Sequence, residues 1–244
     1  MIHHDPQIRI GCSGWAYKDW KGAFYPAELK DADRLAFYQS RFSTTEINAS
    51  FYRTPQAQAV VNWAQRAPPG FVFCWKASRF ITHNKKLKDC RESVEFIRQR
   101  MAPLGEEGPI LFQLPPNLHL NLERLETFIG WLPKGRRATF EFRHLSWYQP
   151  AVYELLARHD LSLCISDHHA APSPWIATAP YVYVRGHGPG GRYHGRYEEA
   201  QLGAWADHIL RWRAEGRAVF SYFDNDIRSA APADAAALIA RVCG

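Results

Sequence analysis

Residues 138–169 read ATFEFRHLSWYQPAVYELLARHDLSLCISDHH, and this stretch decides the fold. Ala138–Phe142 is a short apolar run rich in aromatic and β-branched residues, which predicts a strand. Helical spacing of apolar residues follows from Gln149 to His159, and a second strand is predicted at Leu161–Ser166. A strand, a helix and a strand within about 30 residues make a βαβ crossover, which joins parallel strands. Both strands end in polar clusters, Glu141-Phe142-Arg143-His144 and Asp167-His168-His169.

The same unit recurs on either side. Further strands are predicted at Ile8–Cys12, Thr44–Asn48, Phe71–Lys76, Pro109–Gln113, Tyr181–Arg185 and Ala218–Phe223. Helices are predicted at Asp33–Phe42, Pro55–Ala67 with Thr54 as its cap, Asp89–Met101, Asn121–Leu132, Glu198–Ala214 and Pro232–Val242. The other strand ends are Ser13-Gly14-Trp15, Glu46-Ile47-Asn48, Trp75-Lys76-Ala77, Gln113-Leu114-Pro115, Arg185-Gly186-His187 and Asp224-Asn225-Asp226. Eight such units in 244 residues predict an α/β fold, one (β/α)8 barrel of the TIM type in a single domain spanning 1–244. One connection departs from the ideal. The 14 residues from Asp167 to Pro180 include Pro172, Pro174 and Pro180, so an irregular, helix-poor link is expected between the sixth and seventh strands.

Composition narrows the function classes. With 46% apolar and 14% aromatic residues the chain can bury a large core. No run of about 18 apolar residues is present to span a membrane, and the first 30 residues hold no apolar run of the kind a secretory signal needs. The five cysteines are sparse, odd in number and without a C-x-x-C pair, which implies reduced thiols and a cytoplasmic location. His3-His4 reads as a terminus without a role. The net charge is +6, and residues 76–100 carry eight Lys/Arg against three Asp/Glu. Such a cluster suggests an anionic partner, either a small molecule or a nucleic acid, or else a solvated surface.

Seven motifs stand in order: Gly11-Cys12-Ser13-Gly14-Trp15, Glu46 to Tyr52, Ile81-Thr82-His83, Gly108 to Pro116, Glu141 to His144, Val184 to Gly188, and Phe223-Asp224-Asn225-Asp226. Together they resemble the YecE-like family, domain of unknown function 72, over nearly the whole chain. The resemblance implies a TIM-type barrel and carries no assigned reaction. Asp224 departs from it, standing where the family resembles Phe-Asn-Asn.

Strand parity points the polar side chains inward at the C-terminal mouth, where barrel enzymes do their chemistry. Glu46, Glu141, Asp167 and Asp226 are the catalytic candidates, as acid, base or ligands of a divalent metal. Glu141, kept ionised by Arg143, is the preferred base or ligand and Glu46 its counterpart. Asn48, Lys76, His83, Gln113, Arg143, His144, Arg185, His187, Arg192, Tyr193 and Asn225 are the candidates for binding substrate. The glycine-rich segment from Gly186 to Tyr197, followed by a helix start, is a candidate anion cradle. A salt-bridged network closing the barrel top is the competing reading of the charged set. The loop aromatics Trp15, Tyr17, Trp20, Phe24, Tyr25, Phe51, Tyr52, Trp147 and Tyr148 are expected to serve at least half as a packed lid, with stacking on a base or sugar ring the alternative. Asp167-His168-His169 looks like a metal-binding tripeptide, but adjacent residues at a strand end point apart. The readings are an enzyme, of which a hydrolase of phosphoesters is one form, acting on a sugar phosphate or nucleotide phosphodiester; a nucleic-acid-binding protein; and, more weakly, a glycoside hydrolase.

Overall fold

The computed structural model of the protein describes residues 5–243; His3 and His4 lie outside the described residues. Eight parallel strands form one sheet: β1 (Ile8–Cys12), β2 (Thr44–Ile47), β3 (Val72–Lys76), β4 (Ile110–Gln113), β5 (Ala138–Glu141), β6 (Ser162–Ser166), β7 (Tyr181–Gly186) and β8 (Ala218–Phe223). Their order around the sheet is β1-β8-β7-β6-β5-β4-β3-β2, a nearly closed barrel. Helices α1 (Arg34–Gln39), α2 (Ala49–Tyr52), α3 (Ala57–Arg66), α4 (Arg91–Met101), α5 (Leu122–Ile129), α6 (Pro150–Arg158), α7 (Glu199–Ala214) and α8 (Ala230–Cys243) lie between the strands.

Closure at β1 and β2 uses side chains more than a ladder. One parallel bridge joins Ser13 to Glu46. Beside it the Tyr38 hydroxyl sits between the strands, accepting from the Cys12 N–H at 2.7 Å and donating to the Thr44 carbonyl at 3.0 Å. Gly11 makes room, since a Cβ there would lie 2.3 Å from the Thr44 carbonyl oxygen. The tyrosine thus replaces a rung that two splayed strands cannot make with each other.

Parity divides the core. Inside the barrel pack Val72, Cys74, Leu111, Cys164, Tyr181, Tyr183, Phe220 and Tyr222. Tyr222 Oη lies 2.6 Å from Thr44 Oγ1 and 2.9 Å from Cys74 Sγ, so hydroxyls and a thiol thread the apolar filling. Alternate residues face the helices in two outer clusters, one around Trp75, Phe112 and Phe140, the other around Ile10, Val184 and Val219.

The link from β6 to β7 contains no helix, in keeping with its prolines. Several helix bounds differ from expectation. α3 begins at Ala57, its N-cap is Gln56 and no side chain caps it, so Thr54 and Pro55 precede the helix. α4 begins at Arg91, and Phe80–Asn84 forms a π-turn within the basic loop. Left-handed backbone at Lys86, Leu87 and Asp89 keeps that loop from joining α4. Asn121 caps α5 as its chemistry suggests, its side chain accepting from the Arg124 N–H at 2.8 Å. No helix among the described residues is long and apolar enough to cross a membrane.

Candidate functional site at the barrel mouth

Arg185 stands at the centre of the mouth with no exposed surface. It leaves β7 on the inward parity, one step above Tyr183. Its Nε donates to Glu46 Oε2 at 3.1 Å and its Nη2 to Glu46 Oε1 at 2.9 Å. Nη1 donates to Glu141 Oε2 at 2.8 Å, and Nη2 also to Asp224 Oδ2 at 2.6 Å. Three carboxylates from β2, β5 and the end of β8 therefore converge on one guanidinium. Tyr183 Oη donates to Glu46 Oε2 at 2.7 Å, and the Ser13 hydroxyl donates to Glu46 Oε1. Arg143 Nη2 lies 2.5 Å from Glu141 Oε1.

Glu46 and Glu141 are brought together, as parity predicts, but the pair is occupied by cations. Burial opposes ionisation of Glu141, and Arg143 and Arg185 outweigh it, holding its carboxyl at about 2. So weak a base takes no proton at neutral pH, which revises the preference for Glu141 as base. A metal ligand role fits no better, because the oxygens of both glutamates are spent on donors. Among the described residues no group of three His, Cys, Asp or Glu is arranged to hold a metal ion.

The carboxyls with raised pKa lie elsewhere. Burial, then the Asp224 carboxylate, pushes Asp226 up to about 9, and its Oδ1 has no hydrogen-bond partner. Burial pushes Asp167 up to about 6, although the Tyr197 hydroxyl and the His187 N–H at 2.7 Å both donate to it. Asp224 is also raised by burial.

His187 is fully buried above Arg185. Arg143 Nη2 and Arg185 Nη1 approach its Nε2 at 2.9 and 3.0 Å, so Nε2 can only accept. Its Nδ1 then carries the proton and donates to Asp167 Oδ1 at 3.2 Å. Burial, then Arg143 and Arg185, lowers its pKa well below 6.5, which agrees with a neutral ring. Tyr193 closes the same corner, its hydroxyl taking a bond from Arg143 Nη1 at 2.9 Å. Arg143 Nε is buried and without a partner.

Lys76 ends β3 on the inward side and is buried. Its Nζ donates to Asn48 Oδ1 at 3.1 Å and lies 4.7 Å from the Phe51 ring centre. Among the described residues no carboxylate oxygen comes within 4.0 Å of it. Burial, then Arg185, lowers its pKa to about 8. Asn48 caps α2 rather than extending β2, so the alternation expected through Ser50 stops at Ile47. Tyr17 lies next in line: its hydroxyl donates to the Ser13 carbonyl at 2.5 Å, lies 3.5 Å from Asn48 Nδ2 and stands beside Asp226.

The remaining candidates spread outward. His83 packs edge-on against Phe51, with Nδ1 2.9 Å from Thr82 Oγ1, and burial followed by Lys76 lowers its pKa to about 4. Gln113 is half-buried on the inward parity of β4, next to Glu141 in register. His144 turns away, stacked on His119 at 4.0 Å and capping the turn at Ser146. Asn225 points outward, donating to Asp234 Oδ2 at 2.8 Å and to the Gly195 carbonyl at 2.7 Å. It ties the β7–α7 loop to α8 and is not a mouth residue.

The glycine-rich loop also differs from an open cradle. Gly191 has φ +63°, and a Cβ there would lie 2.3 Å from the Asp167 carbonyl oxygen, so the loop is packed onto the end of β6. Arg192 is exposed at the rim. The start of α7 is satisfied by its own Glu198 carboxylate and Gln201 in a capping box, which removes the expected anion-friendly end. His168 and His169 diverge: His168 faces His187 edge-on, and His169 Nδ1 lies 3.0 Å from the Gly191 carbonyl oxygen. Of the loop aromatics, Trp20, Tyr25 and Trp147 are buried in the outer cores beside the helices and Phe51 is buried next to Lys76, while Tyr52 is 70% exposed.

Ser13, Tyr17, Tyr183 and Tyr197 complete the site; none was singled out as a catalytic or substrate-binding residue, although Ser13 stood in a strand-end cluster, Tyr17 among the loop aromatics and Tyr197 at the end of the glycine-rich segment. Tyr183 was open to inference, lying two before Arg185 on one strand.

Comparison with known proteins agrees with the barrel fold. The family model described as "Protein of unknown function DUF72" matches residues 9–243. UPF0759 protein YunF of Bacillus subtilis is 26% identical over 258 residues, covering 90% of this chain and 89% of that protein. UPF0759 protein YecE of Escherichia coli is 27% identical over 143 residues, 58% of this chain and 50% of its own length. A crystal structure of a DUF72 family protein from Thermotoga maritima superposes with a TM-score of 0.87 at 28% identity, covering 95% of this chain and 97% of that one. A DUF72 family protein from Enterococcus faecalis shares the fold with a TM-score of 0.81 at 21% identity, covering 96% and 95%. With the family model spanning nearly the full chain, the protein belongs to the DUF72 family.

Proposed function

We propose that the protein is a cytoplasmic enzyme acting at the barrel mouth on a phosphate-bearing small molecule, a sugar phosphate or a nucleotide phosphodiester. The observation that carries this reading is the combination at the mouth of a buried lysine that lacks a carboxylate partner among the described residues with two carboxyls raised to either side of neutral pH. Lys76, Asp226 and Asp167 are so arranged, with Asp226 at about 9 and Asp167 at about 6. Groups pushed apart on either side of neutral pH are what acid and base roles require. Asp226 serves as the acid and Asp167 as the base. The unpartnered Arg143 Nε and the Lys76 amine face the substrate's charge, and a ligand that satisfies them removes the cost of burying them unpaired.

The test is calorimetric binding of inorganic pyrophosphate, followed by turnover of a panel of sugar phosphates and phosphodiesters. Lys76→Met should weaken pyrophosphate binding by about tenfold or more. Asp226→Asn should lower turnover by roughly 100-fold while binding is retained. Pyrophosphate binding unaffected by Lys76→Met, or turnover indifferent to Asp226→Asn, would refute the assignment.

A second reading, nucleic-acid binding without chemistry, draws on the rim. Tyr52 and Phe80 are exposed there, and Lys85 Nζ lies 5.4 Å from the Phe80 ring. Binding of a single-stranded oligonucleotide that weakens steeply with log salt would favour it; salt-indifferent binding would remove it.

A further inference from the structure

We propose that Lys76 is a covalent nucleophile, its ε-amine forming a Schiff base with the carbonyl group of an open-chain phosphorylated sugar. This deepens, and rests on, the reading of the mouth as a site for a phosphate-bearing substrate.

The geometry is that of a lysine prepared to be uncharged. A buried ammonium is ordinarily paired with a carboxylate. Here the three carboxylates whose charge reaches it, Glu46, Glu141 and Asp224, are all turned onto Arg185. Lys76 is left with an amide oxygen at 3.1 Å and an aromatic face, and with the positive charge of Arg185 nearby. Its pKa of about 8 leaves roughly one amine in ten neutral at pH 7, against fewer than about one in a thousand for an exposed lysine. A residue meant only to clamp an anion would gain nothing from this. Asn48 and Phe51 hold the amine at the end of a rigid strand, as a positioned nucleophile requires.

The chemistry balances with groups already present. The neutral amine nitrogen attacks the carbonyl carbon, the C=O π pair moves to oxygen, and that oxygen takes up a proton as the nitrogen loses one. The resulting carbinolamine expels its hydroxyl with a proton from Asp226, giving water and a protonated imine. Asp226 is the carboxyl of the mouth that still carries a proton at neutral pH, and Tyr17 beside it lies 3.5 Å from Asn48, the partner of the Lys76 amine. Water adds back to the imine along the same path and returns the free amine and the carbonyl compound.

The experiment uses the wild-type protein, dihydroxyacetone phosphate and sodium cyanoborohydride, with adducts located by peptide mass mapping. Lys76 should be reductively alkylated at least about tenfold faster than the exposed Lys30 and Lys88, and inorganic pyrophosphate should slow its labelling. Labelling confined to surface lysines would overturn the proposal. If pyrophosphate nevertheless binds by calorimetry, the nucleophile fails and the anion site stands; if it does not bind either, both fail. Mapping on the wild-type chain makes the outcome independent of whether a Lys76 variant folds.

Discussion

Arg185 makes six polar contacts to side chains from β1, β2, β5, β7 and the end of β8. Removing one member of such a network strands a buried charge, which costs about 3–5 kcal/mol. Glu141→Ala is therefore expected to lower the melting temperature sharply, because Arg143 and Arg185 both lose a partner. A melting temperature within a degree or two of wild type would show the network to be dispensable. Asp226 should behave in the opposite way. Its carboxyl keeps a proton up to about 9 in the folded chain, whereas the unfolded chain gives it up near 3.8. The folded state thus binds the extra proton between those values, and stability falls as pH rises through that window. Asp226→Asn imitates the protonated form, so it should be more stable than wild type at pH 8 by up to about 5 kcal/mol, with the gap narrowing toward pH 5. Thermal melts of both proteins at the two pH values decide this; a gap that widens on acidification would contradict it.

Among the elements, the β1–β2 seam depends on a helix side chain. Tyr38 on α1 serves the backbone N–H of Cys12 and the carbonyl of Thr44. Tyr38→Phe would leave both buried groups unpaired, and a loss of about 2–4 kcal/mol is expected in denaturant unfolding with an unchanged m-value. A loss below half a kilocalorie would mean the strands can zip together without it. Strands and their inward faces were legible in the sequence because alternation and apolar content report directly on a two-sided sheet. Helix ends were less so. Thr54-Pro55 reads as a cap and first turn, yet Gln56 is the N-cap and Ala57 begins the helix; the basic stretch between Lys76 and Asp89 reads as a loop and hides a π-turn at Phe80–Asn84. The start of α7 reads as an open anion site until Glu198 and Gln201 are seen to close it.

For the molecule as a whole, the guanidinium groups of Arg143 and Arg185 supply the positive charge among the mouth carboxylates. Dialysis against a strong chelator is accordingly expected to leave the melting temperature unchanged; a fall of several degrees would reveal a resident ion. The sequence by itself determined the eight-unit barrel, the helix-poor link after β6, and the mouth as the place where Glu46, Glu141, Asp167, Asp226, Lys76, Arg143, Arg185 and His187 meet. Those features follow from periodicity and chain order, which are local. Only the tertiary structure decided the division of labour among these groups. Whether a carboxyl is ionised depends on its burial and on which cation reaches it, and those neighbours come from strands more than a hundred residues apart, as with Glu46 and Arg185. The same contacts sent Asn225 outward, spent both glutamates on arginines, and left Lys76 without a counter-ion.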